Sequence, residues 1–396
     1  MRSLDFIHIA DLHLGYAQYN LEARLQDFNN AFREAVDRIL EVKPDFVLIC
    51  GDLFHHPRPS NVVLEFAIEQ LCRLRSAGIP VLAVDGSHDS APNSVTGTIL
   101  RPLDSAGLLI YLPRREGSSW EVGDCYIYGV GYLRSRARRT ELEEYLSEIP
   151  PTPDPSKFNI MAFHFSLEGL VPGHMAEVDP SSLPRGFDYY AGGHIHKPIL
   201  VEAGELGLGG GYIAYSGSTE TVSYREADYE KGFYLVHVSA DKTVDVERIK
   251  LENTRKFVVF EEEITGLSPS EITDRLVERI RALDERGIVL IPVLKGSLPP
   301  GTSRSEIDIP ALRAAARLAL AVRPVLKVEE TGLPEVEAWL EEKADLRAKA
   351  YDYFLEVFRK KGLGKPEELA RLAIELIDPL LAKDEKKVKS LLEGCL

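Results

Sequence analysis

Apolar residues along this chain follow two alternating patterns. Residues 6–10, 45–50 and 80–84 are short, nearly continuous apolar runs, and they end at Asp11, Gly51-Asp52 and Gly86. Between the first two, Leu21, Leu25, Phe28, Phe32, Val36 and Ile39 fall on one face over residues 20–40, and residues 62–74 repeat that spacing. The runs predict buried strands and the spaced positions predict amphipathic helices. Strands alternating with helices imply right-handed crossovers and a largely parallel sheet. Ligands of such sheets gather beyond the carboxyl ends of the strands. From residue 125 the strands become denser, at 125–130, 158–163, 187–191, 212–215 and 232–238, so a second sheet is expected. The glycine-rich run 204–211 lacks the lysine and following helix of a phosphate loop and predicts a hairpin turn.

The composition shifts near residue 254. A strand over 257–260 is followed by Ser268-Pro269-Ser270-Glu271, a capping box with proline at the first helical position. The helix it opens should end near Gly287, with a strand over 288–294, a Pro/Gly/Ser-rich loop over 298–305 and a helix around 311–322. These elements read as a small α/β domain. Beyond about residue 332 the chain predicts charged helices. Leu346, Ala350, Tyr353, Phe354, Val357 and Phe358 form one apolar stripe, and Leu369, Leu372, Leu376 and Ile377 a second, with Gly362, Gly364 and Pro366 between them. Such a helical pair must pack on its own domain or on a partner. Three segments are therefore expected: 1–253, 254–331 and 332–396.

Composition narrows the classes. With 396 residues and 44% hydrophobic content, the chain can bury a sizeable core. No apolar run approaches the roughly 18 residues of a membrane span, and residues 1–10 carry Asp5 and do not read as a secretory signal. A soluble intracellular (cytoplasmic) protein is expected. Cys50, Cys72, Cys125 and Cys395 form no C-x-x-C pair and read as small thiols in a reducing compartment. A net charge of −15 argues against a wholly basic nucleic-acid-binding surface. It leaves room for a local basic face: Arg114, Arg115, Arg134, Arg136, Arg138 and Arg139 are either that face or a solvated loop and helix start.

The candidate chemistry lies at the strand ends. Six of the ten histidines fall in one ordered series with three aspartates: Asp11-Leu12-His13, Gly51-Asp52-Leu53-Phe54-His55, Gly86-Ser87-His88-Asp89, His164 and Gly193-His194-Ile195-His196. Carboxylate and imidazole suit Mn, Fe and Zn. Two residues apart on a strand, Asp11 and His13 point to one face and can grip one ion. Asp52, with two oxygens after a turn-permitting glycine, is the natural bridge between two ions. His194 and His196 can serve one ion each, and His164 completes the set. Two cations about 3.5–4 Å apart clamp an in-line phosphoryl displacement. His88 can protonate a leaving oxygen or stabilise phosphoryl charge, with His55 orienting it. His8 and His237 read as core residues, His56 and His174 as loop residues.

Ile9-Ala10-Asp11-Leu12-His13-Leu14-Gly15, Gly51-Asp52-Leu53-Phe54-His55 and Gly193-His194-Ile195-His196-Lys197 resemble the calcineurin-type metallophosphoesterases, and among them the DNA double-strand-break repair nucleases. The arginine-bearing G-D-x-x-D-R-G segment of the superfamily's protein phosphatases does not fit residues 51–58. The resemblance implies an α/β fold, a two-sheet αββα sandwich carrying a capping domain and a C-terminal helical pair. It further implies a Mn²⁺-dependent exonuclease and single-strand endonuclease, acting as a homodimer with an SMC-like ABC ATPase. By position, Asp11, His13, Asp52 and His196 would hold one Mn²⁺, and Asp52, Ser87, His164 and His194 the other. His88 would act on the scissile phosphate with His55 behind it. The capping domain would grip DNA ends, and Leu346, Tyr353, Phe354, Val357, Phe358, Leu369, Leu372 and Leu376 would dock the ATPase.

One position departs from the family motif G-N-H-D, since residue 87 is serine. A neutral hydroxyl on a shorter side chain reaches less far than an amide oxygen, so the second ion should be held less firmly. Two other readings follow: a DNA- and ATPase-binding subunit that cuts poorly because of Ser87, and a small-substrate phosphodiesterase on the same fold.

Overall fold

A computed structural model describes residues 2–90, 97–113, 118–133, 138–299, 301–330, 346–361, 364–381, 389 and 391. Arg114, Arg115, Arg134, Arg136 and Cys395 lie outside the described residues, as do the side chains of Leu346 and Ile377 and the boundary expected near 332. The chain divides into two compact units. The first comprises Met1–Val259, Asp284–Ile291 and Leu318–Ala321, and the second Phe260–Leu283, Pro292–Arg317 and Val322–Leu396.

The first unit contains two six-stranded sheets. One runs, in spatial order, β12 (Val244–Lys250), β11 (Gly232–Val238), β1 (Leu4–Ile9), β2 (Phe46–Cys50), β3 (Val81–Val84) and β4 (Ile110–Tyr111). The other runs β5 (Ser119–Val122), β6 (Cys125–Gly129), β7 (Phe158–His164), β8 (Tyr189–Gly193), β10 (Tyr212–Tyr215) and β9 (Ile199–Glu202). The expected parallel pairing joins β1 to β4 and also β6, β7, β8 and β10. The edges turn antiparallel: β11 on β1, β12 on β11, β5 on β6 and β9 on β10. The glycine-rich run 204–211 links β9 to β10 as an antiparallel connection.

Parallel strands read as continuous apolar runs because both faces are covered. Between the sheets, Phe6, Phe46, Leu48, Ile127, Phe158, Ile160, Tyr189 and Ala214 form one buried core. Phe6 stacks on Phe46 at 5.0 Å and meets Tyr189 edge-on at 5.4 Å. On the outer face of the first sheet, Ile7, Ile9, Val47 and Ile49 pack against α1 (Glu22–Val42) and α2 (Asn61–Ser76). Phe32, Val36 and Ile39 supply the α1 stripe, and Ser60 caps α2 by accepting from Val63 N. On the outer face of the second sheet, Tyr128, Met161, Phe163 and Tyr215 pack with Leu142 of α4 (Arg138–Glu148), α3 being the short Leu100–Ser105. The order helix, sheet, sheet, helix is that of an αββα sandwich.

Two expected core histidines part company. His8 is fully buried, its ring nitrogens against Tyr189 OH at 3.0 Å and Gly192 O at 3.1 Å. His237 is corrected: its side chain is 40% exposed, because alternation on β11 turns it outward to pair with Asp5 at 2.8 Å. His56 and His174 are exposed loop or turn residues, as expected.

Arg24, on α1, is also fully buried. It bonds Gln18 Oε1 at 2.8 Å, Asp27 Oδ2 at 2.6 Å, Glu220 Oε1 at 3.1 Å and Thr221 O at 2.8 Å. Gln18 in turn donates to Val222 O at 2.7 Å. A buried guanidinium with all this charge and hydrogen bonding satisfied is tolerable; one stripped of partners is not.

A third sheet is ordered β13 (Phe257–Glu263), β14 (Val289–Leu298) and β15 (Ala321–Val322), with β16 (Val325–Glu330) pairing β14 in parallel. In the second unit, α5 (Pro269–Ala282) opens on the expected capping box of Ser268 and Glu271 and buries Ile272, Leu276 and Ile280. The helix expected over 311–322 is corrected to α6 (Ile309–Ala315). Ala316 is extended, the Asp284 carboxylate accepts Leu318 N at 3.1 Å and Ala319 N at 2.8 Å, and Leu320 N bonds Ile288 O. These bonds take the amides a helix would use. The last two helices are α7 (Leu346–Lys360) and α8 (Pro366–Leu381). Phe354 stacks on Phe358 at 5.9 Å, and Tyr353 remains 41% exposed. No helix among the described residues is long and apolar enough to cross a membrane.

The sheets approach closely at the end of β8. A Cβ on Gly193 would lie 1.8 Å from the Cys50 carbonyl oxygen, a backbone atom that cannot swing away. Gly193→Ala is expected to cost about 1–3 kcal/mol or more, measured as a lowered urea midpoint; an unchanged midpoint would show that this contact relaxes freely.

Candidate metal centre

The candidate ligands sit at strand ends or up to four residues past them, four of them in left-handed backbone. After β1, Asp11 has φ 55° and His13 φ 48°; after β2, Asp52 has φ 51°; after β8, His194 has φ 85°. The same-face argument for Asp11 and His13 is thereby corrected, since β1 stops at Ile9 and both residues lie in left-handed backbone. Nine non-glycine residues among those described have positive φ, and these four are expected ligands. Each such conformation costs of order 1–3 kcal/mol and persists only where its surroundings fix it.

Here backbone hydrogen bonds between two loops fix it. Asp11 N bonds Gly51 O at 3.2 Å, Leu12 N and His13 N share Asp52 O at 3.0 and 2.9 Å, Leu14 N bonds Leu53 O at 3.0 Å, and His55 N returns to Leu14 O at 2.9 Å. Asp89 ties in the third loop: its buried carboxylate accepts Leu53 N at 2.8 Å and Gly86 N at 2.6 Å. Glycine is needed where loops touch. A Cβ on Gly86 would lie 2.2 Å from Asp52 Oδ1, and one on Gly51 2.2 Å from His164 Nδ1.

Three tight donor groups result: Asp11, Asp52 and His164; Asp11, His13 and His196; and His13, His55 and His88. Asp52 Oδ2 is 3.2 Å from His164 Nε2 and 3.9 Å from His13 Nε2. His196 Nε2 is 3.7 Å from Asp11 Oδ1 and 3.3 Å from His13 Nε2. His194 lies outside these groups. Its ring packs on His164 with centroids 5.2 Å apart, its Nε2 faces Glu177 Oε2 at 3.5 Å, and its backbone N–H donates to both Asp11 oxygens at 3.1–3.2 Å. Ser87 Oγ donates to Asp52 Oδ2 at 3.2 Å. His88 N donates to Asp52 Oδ1 at 2.8 Å, and His88 Nδ1–H donates to the carbonyl oxygen of His55 at 3.0 Å. His55 therefore orients His88 through its backbone and by ring stacking at 4.5 Å, with Tyr16 stacked on its ring at 3.8 Å.

These residues fit a divalent cation. His164 Nε2 is buried and makes no hydrogen bond, although Asp52 Oδ2 lies 3.2 Å away. Its other nitrogen is committed, donating to Cys50 O at 2.8 Å. A buried imidazole nitrogen and a carboxylate oxygen facing one point at 3.2 Å are a donor pair that a cation satisfies. Electrostatics divide the imidazoles into two kinds. Burial holds His13 well below its ordinary pKa and His194 at about 3, so both imidazoles stay neutral, the form that binds metal. Burial would raise Asp52, but His164 and His13 outweigh it and keep the carboxylate well below its ordinary value. Burial would lower His164, yet Asp52 lifts it to about 10, so this ring carries a proton that a bound cation would displace.

Several residues here carried no signal in the sequence reading. Glu226 accepts from His196 Nδ1 at 2.8 Å and meets Lys231 Nζ at 2.9 Å. Glu177 pairs with Arg138 at 3.1 Å. An isolated glutamate far along the chain has no spacing to mark it. Of the basic stretch, Arg138 and Arg139 already pair with carboxylates, Glu177 and Glu143 respectively.

Residues 4–198 match the calcineurin-like phosphoesterase family. The DNA double-strand break repair protein Mre11 of Methanococcus maripaludis is 33% identical over 264 residues, covering 65% of this chain and 69% of its own. That of Methanocaldococcus jannaschii is 34% identical over 266 residues, 64% of this chain and 68% of its own. That of Sulfolobus acidocaldarius is 27% identical over 402 residues, 98% of each chain.

Asp52→Ala removes the acceptor of Ser87 Oγ and His88 N together with the charge facing His164. It is expected to weaken Mn²⁺ binding to chelator-treated protein by at least about 100-fold, read by calorimetric titration; retention of full affinity would remove Asp52 from the centre.

Proposed function

The chain belongs to the Mre11 family of calcineurin-like phosphoesterases, and from that membership we propose that it is a metal-dependent DNA nuclease of double-strand break repair, acting inside the cell as exonuclease and single-strand endonuclease. The observation that supports this most is the meeting of Asp11, His13, Asp52, His164 and His196 from four strand ends in one buried, ion-ready pocket.

In this reading Asp11, His13, Asp52 and His196 would hold one Mn²⁺ ion, and Asp52, Ser87, His164 and His194 the other. Bound there, the ions would polarise the phosphoryl oxygens and align the attacking water. The chain's own residues do the rest. Asp52 spans both positions, with its oxygens already aimed by Ser87 Oγ and His88 N. His88 has its Nδ1 committed to the His55 carbonyl, which leaves Nε2 to meet the scissile phosphate and carry the proton of the leaving oxygen. Residues 254–331 serve as the DNA-gripping capping domain. The stripe of exposed Tyr353 with half-buried Phe354, Val357, Phe358, Leu369 and Leu372, together with Leu346 and Leu376, docks an SMC-like ABC ATPase; a homodimer completes the assembly.

Ser87 supports a second reading, in which cleavage is impaired. Its hydroxyl proton is directed to Asp52 Oδ2, so it is a weak ligand for the second ion, where the family's asparagine would offer an amide oxygen.

With Mn²⁺, the protein is expected to degrade duplex DNA ends faster than bis-p-nitrophenyl phosphate; the reverse preference favours a small-substrate phosphodiesterase, and loss of both favours a non-cutting subunit. His88→Ala should lower kcat about 10²–10⁴-fold with Mn²⁺ affinity intact. Ser87→Asn should tighten the weaker Mn²⁺ and raise the rate at limiting metal. Unchanged occupancy and rate would mean that residue 87 contributes little.

A further inference from the structure

His196 differs from the other candidate ligands in what stands behind it. Its Nδ1 lies 2.8 Å from Glu226 Oε1, while its Nε2 points to Asp11 and His13. Glu226 is buried, and its second oxygen, Oε2, is fully used: Lys231 Nζ donates at 2.9 Å, Val222 N at 3.1 Å and Ser218 Oγ at 3.3 Å. Lys231 is itself buried and also donates to Ser218 Oγ at 2.9 Å. A buried carboxylate with one oxygen anchored by three donors has no freedom to turn. Its other oxygen therefore dictates the orientation and tautomer of the imidazole it meets.

We propose that Glu226, anchored by Lys231, is the positioning residue of His196: it holds the proton on Nδ1 and presents Nε2 to the ion shared with Asp11 and His13. The carboxylate also makes the imidazole a stronger donor, as outer partners of metal-bound histidine do. His164 has only a neutral backbone carbonyl behind it, that of Cys50. The two ion positions are thus supported unequally. Glu226 strengthens the one that contains His196 and leaves the one that contains His164 alone. This inference rests on the two-ion reading above.

The test pairs substitutions so that no buried charge is stranded. Glu226→Leu with Lys231→Met removes the acceptor; Glu226→Gln with Lys231→Met keeps an amide oxygen at the same place. Mn²⁺ is titrated calorimetrically into chelator-treated full-length protein. The Leu/Met variant is expected to lose about 10–100-fold in affinity at one of two Mn²⁺ sites, with the other unchanged, and the Gln/Met variant to recover most of that loss. A folded Leu/Met variant that binds both ions like the wild type overturns the proposal, as does equal weakening of both sites. Failure of the wild type itself to bind Mn²⁺ would sink the metal reading as a whole, which separates the two failures. Should the variants not fold, nitrogen-15 histidine spectra of the wild-type protein decide: a proton on His196 Nδ1 supports the proposal, and a proton on Nε2 with Nδ1 bare overturns it.

Discussion

The backbone ladder between residues 11–14 and 51–55 is the constraint on which the centre depends. Side chains cannot hold Asp11, His13 and Asp52 in left-handed backbone; the five hydrogen bonds of that ladder can, because each is an obligatory pairing of groups that would otherwise be buried unsatisfied. The ladder extends the parallel pairing of β1 with β2 past the strand ends, so the two carboxylates inherit the spacing of the sheet. Asp89 then fastens the third loop to the second with its own carboxylate.

Around this ladder three imidazoles have one nitrogen settled and one available. His164 leans on a backbone carbonyl, His196 on a glutamate, His88 on the carbonyl of His55. Settling one nitrogen selects the tautomer, and burial keeps His13 and His194 uncharged. The pocket therefore offers aimed lone pairs rather than a scatter of polar side chains. The apolar layers matter here too, since tightly packed sheets leave the strand ends little room to drift.

Much of this was legible beforehand. Continuous apolar runs gave β1, β2, β3 and β7 nearly to the residue, because strands covered on both faces leave no alternation to misread. The histidines and aspartates stood out because each cluster follows such a run. Their mode of placement was not legible: a D-x-H spacing suggests one face of a strand, whereas the structure uses left-handed turns whose stabilising partners lie about 40 residues away. Glu226, Glu177 and Lys231 escaped for a related reason. Their importance lies wholly in tertiary proximity to His196 and His194, and nothing local distinguishes them from surface charges. The helix misjudged over 311–322 shows tertiary hydrogen bonds from Asp284 overriding local propensity.

The position of β1 carries one more consequence. It lies between β2, some forty residues downstream, and β11, which pairs with it antiparallel from residue 232 onward. The buried Arg24 likewise waits for Glu220 and Thr221. A chain emerging from the ribosome exposes the unpaired edge of β1, opposite the side that carries the ladder of the candidate metal centre, until well over half its length has been made. Synthesis order thus sets a vulnerable interval for the newborn polypeptide, in which a stall before β11 leaves an adhesive strand edge where the finished molecule has the middle of a sheet.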